Sequence, residues 1–352
     1  MTADLIAVVL LLAVAAYAGA GGTDYGAGFW DLTAGGTDRG RRPRWLIDHA
    51  MAPVWEVNNV WLIFVLVIMW TGFPVLFQTV FSAMWLPLAL AAMGMVLRGA
   101  GFAFRKPSRR LAGQRLYGAV FAVSSVVTPL FLGAAVGGVA SGRVKPGTEA
   151  SADAWSNPTS LVFGLVAVTT TAFLGAVFLT ADARRFDAPD LVGYFRWRAL
   201  SSLAVLTVLA VSTGFVTHED SPHVWHGLTR GLGLLFVVVA GAAALATAWL
   251  LLRAPGTWMR VTAVGVVVSA VIAWGMAQRP YLLPTSLTVA DAAGAPATLT
   301  WLAIVTLVAL VLVVPAVVFL YWLDTHGELE ELTDSELRRG NGTSGDGAAH
   351  DS

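Results

Sequence analysis

The stretch EVNNVWLIFVLVIMWTGFPVLFQTVFSAMWLPLALAAMGMVLR, residues 56–98, decides the fold. Between Glu56 and Arg98 lie 41 consecutive residues without Asp, Glu, Lys, Arg or His. A hydrocarbon core takes about 20 helical residues to cross, so this stretch predicts two membrane spans joined by a turn near Gly72-Phe73-Pro74. Such a hairpin returns its ends to one membrane face. Glu56, beside Trp55, Asn58 and Asn59, then shares a membrane edge with the Arg98 guanidinium, a placement that points to proton or ion handling.

The rest of the chain agrees. Of 352 residues, 57% are hydrophobic and only 12% charged, whereas a soluble domain carries about a quarter charged residues. Charge-free runs predict nine spans, near 4–22, 57–77, 79–97, 116–138, 159–181, 199–217, 230–252, 260–277 and 299–322. Lys and Arg close to span ends stay cytoplasmic. With the N-terminus outside, 18 of the 22 basic residues fall on the inner side, and only Arg143, Lys145, Arg230 and Arg279 fall outside. One missed span would exchange the sides of every later loop and destroy this asymmetry.

The first span ends in small residues, Ala16, Ala18 and Ala20, that resemble a signal-peptide cleavage site. Its leader, Met1-Thr2-Ala3-Asp4, lacks a basic residue, so a retained span is expected. Zero cysteines exclude disulfides, Cys-ligated clusters and Cys-attached haem. Of the histidines, His49 precedes the second span, His326 and His350 follow the ninth, and His218, His223 and His226 sit in an outer loop. With Glu219 and Asp220 that trio could hold a metal, but a solvated loop is the stronger expectation. Met69, Met93 and Met95 read as gap-fillers between helices. No haem is expected on this chain's own ligands, and no nucleic-acid partner.

After the first span comes Thr23-Asp24-Tyr25-Gly26-Ala27-Gly28-Phe29-Trp30-Asp31, whose glycines permit either a tight bend or a close backbone approach. Asp24 reaches the inner side, joining Glu56 and Arg98. On residue types alone, two readings stand: a proton-handling cluster, or three charges that simply end their helices at the headgroup level. Gly133, Gly137 and Gly138 of the fourth span are close-approach points for ordinary packing in lipid.

Ala52-Pro53-Val54-Trp55-Glu56-Val57-Asn58-Asn59-Val60-Trp61-Leu62-Ile63 resembles the signature of subunit II of cytochrome bd-type quinol oxidases. Residues 23–28 resemble the family's acidic, glycine-rich stretch after its first helix. Residues 97–105, from Leu97-Arg98 to Arg105, resemble its Arg-rich stretch after the third, and residues 280–288 its outer loop before the last. Order and span number match over about residues 5–325. Many members carry Asp at the position of Glu56 and Gly at that of Val57; the Glu form resembles the cyanide-insensitive branch.

The resemblance implies an all-α integral membrane protein of nine helices: a first four-helix bundle over 1–138, a second over 159–277, and a ninth span at 299–322. A polar cytoplasmic tail, 327–352, follows and is expected to be disordered. It implies a bacterial-type plasma-membrane subunit without haem. Its partner, subunit I, carries haem b and haem d and oxidises quinol, while lipids, a structural quinone and small accessory subunits are compatible companions. It further implies a cytoplasmic proton path through Glu56, with Trp55, Asp24 and Arg98 nearby and Asn58, Asn59, Trp61 and Arg105 in support. Two other readings of the same residues are a proton-coupled secondary transporter, which would place its groups nearer the midplane, and a purely structural assembly subunit.

Overall fold

The computed structural model describes residues 1–36, 39–50, 55–105, 111–147, 149–253 and 256–326, with the backbone alone at 55–58, 111, 313–314, 317–318 and 320–326. Helices α1 (Thr2–Thr33), α2 (Arg41–Ala50), α3 (Trp55–Gly72), α4 (Pro74–Ala83), α5 (Trp85–Arg105) and α6 (Leu111–Ala140) form the first half. Then come α7 (Pro158–Arg185), α8 (Pro189–Asp220), α9 (Pro222–Leu228), α10 (Gly231–Arg253) and α11 (Trp258–Gln278). A small hairpin of β1 (Tyr281–Leu283) and β2 (Leu287–Thr288), the one-turn α12 (Val289–Ala292), and α13 (Pro296–His326) complete the described chain.

By length and apolar composition, seven described helices can each cross a membrane, or eight if α3 and α4 count as one span; Pro296–Leu312 is a shorter apolar helix. The predicted turn near residue 73 is a sharp one, with α3 and α4 meeting at 117°. Pro74 opens α4 and Phe73, fully buried, leaves the helical region at φ −135°, as expected for a residue forced out of the helix by the following proline. The freed carbonyl of Gly72 accepts a hydrogen bond from Gly294 N–H at 2.8 Å, so the break leaves that acceptor satisfied.

Several boundaries differ from those read in the sequence. Residues 79–83, expected in the third span, belong to α4, and α5 begins only at Trp85. The first helix runs to Thr33 rather than stopping near residue 22, so its glycine-rich stretch is helical and the bend alternative falls away. Glycine weakens an isolated helix by about 1 kcal/mol, but here neighbouring helices pack directly on the exposed backbone. His218, His223 and His226 lie on the last turn of α8 and on α9 rather than in a loop, and the loop expected at 280–288 folds into the hairpin. The tail at 327–352 lies outside the described residues.

Residues 1–299 form one compact unit, and those from Thr300 onward a second, described as the continuation of α13 with outward-facing Leu307, Val308, Val311 and Leu312. Within the first unit, α1 packs against α3, α6, α7 and α11, so it is enclosed on most sides. The core joins α1, α2, α6, α7, α8, α10 and α11 through side chains such as Phe121, Phe173, Leu174, Phe195 and Met259. By contrast, α10 turns Leu234, Leu235, Val238 and Leu245 outward. That exposure costs nothing where hydrocarbon is the solvent.

Candidate functional site

Glycine contacts fix the architecture around the C-terminal half of α1. Gly26 crosses Gly175 of α7 so tightly that a Cβ at residue 26 would stand 1.9 Å from the Thr171 carbonyl oxygen and 2.8 Å from Gly175 Cα. One turn along the same face, Gly22 admits Leu174, and Gly28 admits the Ser125 side chain of α6. Gly101 of α5 lies against the backbone of Tyr117 and Phe121. Gly133 and Gly137 meet α7 backbone at Phe163–Gly164 and Thr159–Ser160, and Gly138 meets Met84 and the Ala154 carbonyl. These are the close approaches the small residues predicted.

Two ionisable groups are buried in this region, one on α1 and one on α5. Asp24 is 6% exposed on α1 and Arg98 6% exposed on α5. Arg98 Nε donates to Ser125 Oγ at 3.2 Å, and that hydroxyl in turn donates to the Phe121 carbonyl at 2.7 Å. The guanidinium carbon lies 4.8 Å from the centre of the Tyr25 ring and 5.2 Å from that of Phe121, with an aromatic face for each. Its Nη2 is buried without a hydrogen-bond partner. A buried, incompletely paired cation is expensive.

A second cluster lies two turns further along α1. Asp31, 4% exposed, accepts hydrogen bonds from Arg44 Nε of α2 and Arg105 Nη1 of α5, each at 2.7 Å. Arg105 also approaches Asp48 at 3.6 Å. Arg105, expected as a supporting residue, therefore ties α1, α2 and α5 together. Asp31, Arg44 and Asp48 were not singled out from sequence. Their signal was the seven-residue spacing from Asp24 to Asp31 on one helical face, visible only once the glycine stretch is read as helix.

Glu56 and Trp55 lie in the first turn of α3, a helix packed on α1; the side chains of Trp55, Glu56 and Asn58 lie outside the described residues. Asn59 and Trp61 are half-buried, and the Trp61 ring sits 6.4 Å from Phe64. Of the sequence-predicted residues, the structure buries Asp24 on α1 and Arg98 on α5, sets the Arg98 guanidinium against the Tyr25 ring, and places Arg105 on Asp31.

At the region expected outside, Asp220 is engaged by Arg143 and by the Thr159 hydroxyl. Its hydrogen bond holds the Arg143 guanidinium above its ordinary pKa. His218 bonds Glu219, His223 the Gln278 carbonyl and His226 the Pro222 carbonyl. Among the described residues, no three His, Cys, Asp or Glu side chains gather in a way that could hold a metal ion.

The sequence model for cytochrome bd terminal oxidase subunit II matches residues 2–324. The chain belongs to that family. As a family member with apolar helices of spanning length, it is a multi-pass membrane protein. Among relatives of this subunit II, cytochrome bd-I ubiquinol oxidase subunit 2 of Escherichia coli K12 is 25% identical over 202 residues, 53% of this chain and 49% of the relative. Cytochrome bd ubiquinol oxidase subunit 2 of Bacillus subtilis 168 is 26% identical over 112 residues, 32% of each chain. The chain thus spans about half the length of the first of these relatives. A chain in the structure of the bd oxidase from Geobacillus thermodenitrificans superposes with a TM-score of 0.74 at 23% identity, covering 92% of this chain and 98% of that one. This shows a shared fold.

Proposed function

We propose that this chain is the haem-free subunit II of a bd-type quinol oxidase. It scaffolds a haem-bearing subunit I and helps bring cytoplasmic protons to the site where that partner reduces dioxygen to water with electrons from quinol. Haem b and haem d belong to the partner in this reading, and supply the redox chemistry there. The chain's own residues hold and move protons.

The observation that carries the proton role is the buried Asp24–Arg98 cluster with its unpartnered Nη2, adjoining the helix that begins at Trp55-Glu56. Dioxygen reduction consumes protons that must cross part of a hydrocarbon layer. Burial disfavours an ionised carboxylate and a nearby guanidinium favours it, so the two opposed effects can leave a carboxyl group able to exchange a proton at neutral pH. Glu56 is the proton-uptake residue, Asp24 its neighbour, and Arg98 the group that orients and biases them. Trp55, Asn58, Asn59 and Trp61 line the approach, with Arg105 in support.

The full topology belongs to this proposal: nine spans, the N-terminus outside and the C-terminus cytoplasmic, with bundles at 1–138 and 159–277. Its support is a repeated pairing pattern, since α1 meets α3 and α6 while α5 meets α6, and likewise α7 meets α8 and α11 while α10 meets α11.

The test is Glu56→Gln in the intact complex. Quinol-driven oxygen consumption is expected to fall by on the order of tenfold or more while the reduced-minus-oxidised haem spectrum stays intact. Unchanged turnover would leave the assembly role standing and remove the proton role. Copurification of the tagged chain from its membrane in mild detergent, with a partner showing b- and d-type bands, tests the assignment itself; a stable chain alone, without haem, points instead to a transporter.

A further inference from the structure

We infer that Tyr25 and Tyr17 extend the proton route from Asp24 along α1 toward the middle of the membrane, an inference that rests on the proton-supply reading above. The two hydroxyl oxygens lie 3.2 Å apart, although the residues are eight positions apart on one helix. Eight residues of α-helix rise about 12 Å, so this contact requires both rings to lie along the helix axis and meet between the two Cα positions. Helical aromatic side chains normally lean toward the N-terminus, which carries Tyr25 the right way and Tyr17 the wrong way. Gly21 resolves this. A Cβ there would stand 3.1 Å from Tyr17 Cε2, so the bare glycine backbone is the surface on which the Tyr17 ring folds back toward Tyr25.

The pair begins at the buried Arg98 guanidinium, one residue along α1 from the buried Asp24. The Tyr25 ring covers the Arg98 guanidinium and is 5% exposed, whereas Tyr17, halfway along the 32-residue helix, retains some uncovered surface. A protonated Asp24 carboxyl gives its proton to the Tyr25 oxygen, directly or through one water, as Tyr25 passes its own hydroxyl proton to the Tyr17 oxygen. Tyr17 releases its original proton to a water or carboxylate beyond this chain. Each O–H bond broken is replaced by one formed, both tyrosines end neutral, and no electron moves.

A purely structural pair would also satisfy both hydroxyls, so the test removes hydroxyls and keeps rings. Tyr25→Phe, Tyr17→Phe and the double variant are compared with Glu56→Gln in the intact oxidase. The expected result is a several-fold loss of turnover in each single variant, a larger solvent deuterium isotope effect, and an unaltered haem spectrum. The double variant should be no slower than the slower single one, because the groups act in series. Gly21→Ala, which keeps both hydroxyls but crowds the Tyr17 ring, should slow turnover in the same direction. Wild-type turnover and isotope effect in the Tyr→Phe variants, with Glu56→Gln slowed, would overturn the tyrosine relay alone. Wild-type turnover in Glu56→Gln would overturn the proton-supply reading beneath it.

Discussion

Asp31 shows how strongly environment separates ion pairs of the same chemistry. Its carboxylate is 4% exposed and shared by Arg44 and Arg105, whose side chains are 28% and 19% exposed. Removing the buried member of such a pair leaves desolvated cations behind, a loss of about 3–5 kcal/mol when fully buried. Because the two arginines keep some access to water, Asp31→Ala is expected to cost about 2 kcal/mol, seen as a lower thermal midpoint in detergent. Asp190→Ala, which breaks a bidentate pair with Arg42 where both side chains are more than half exposed, should change stability by less than about 1 kcal/mol. Equal losses in the two variants would show that the Asp31 cluster is effectively solvated.

At the scale of helices, close packing takes over from charge. Without a hydrophobic drive between helices in lipid, backbone contact at small residues supplies much of the association. The α1–α7 crossing is the sharpest case, since Gly26 and Gly175 each occupy the space a side chain of the other would need. Gly26→Ala is therefore expected to push the helices apart and lose about 3 kcal/mol or more, read as reduced folded yield in the membrane. Gly99→Ala, on a helix where an added Cβ meets nothing within 4 Å, should be neutral or stabilising by up to about 1 kcal/mol. Protease resistance of the two variants in native membranes compares them directly.

For the whole molecule, the distribution of charge carries the orientation. Since the chain has no cysteine, single introduced cysteines report sidedness without background. Arg39→Cys should react with an impermeant thiol reagent only from the cytoplasmic side, and Ser151→Cys, on an exposed outer turn before α7, only from the opposite side. The reverse pattern would invert the topology and move the Asp24–Arg98 cluster to the wrong face for cytoplasmic protons.

Much of the chain was legible because hydrocarbon imposes simple demands. Spanning segments must be long and nearly free of charge, and arginines gather on one side, while a run of 41 residues without charge is too long for one span and puts its turn at Gly72-Phe73-Pro74; hence the membrane class, the break at Phe73-Pro74 and the proposed orientation were readable residue by residue. Position at one membrane edge singled out Asp24, Glu56 and Arg98, and sequence resemblance then implied their proton role. The tertiary structure alone decided which of their neighbours matter. The spanning helices are apolar on nearly every face, so periodicity does not say how each is rotated about its axis. That rotation, set where Gly26 meets Gly175, is what turns Tyr25 onto Arg98 and Asp31 onto Arg44 and Arg105.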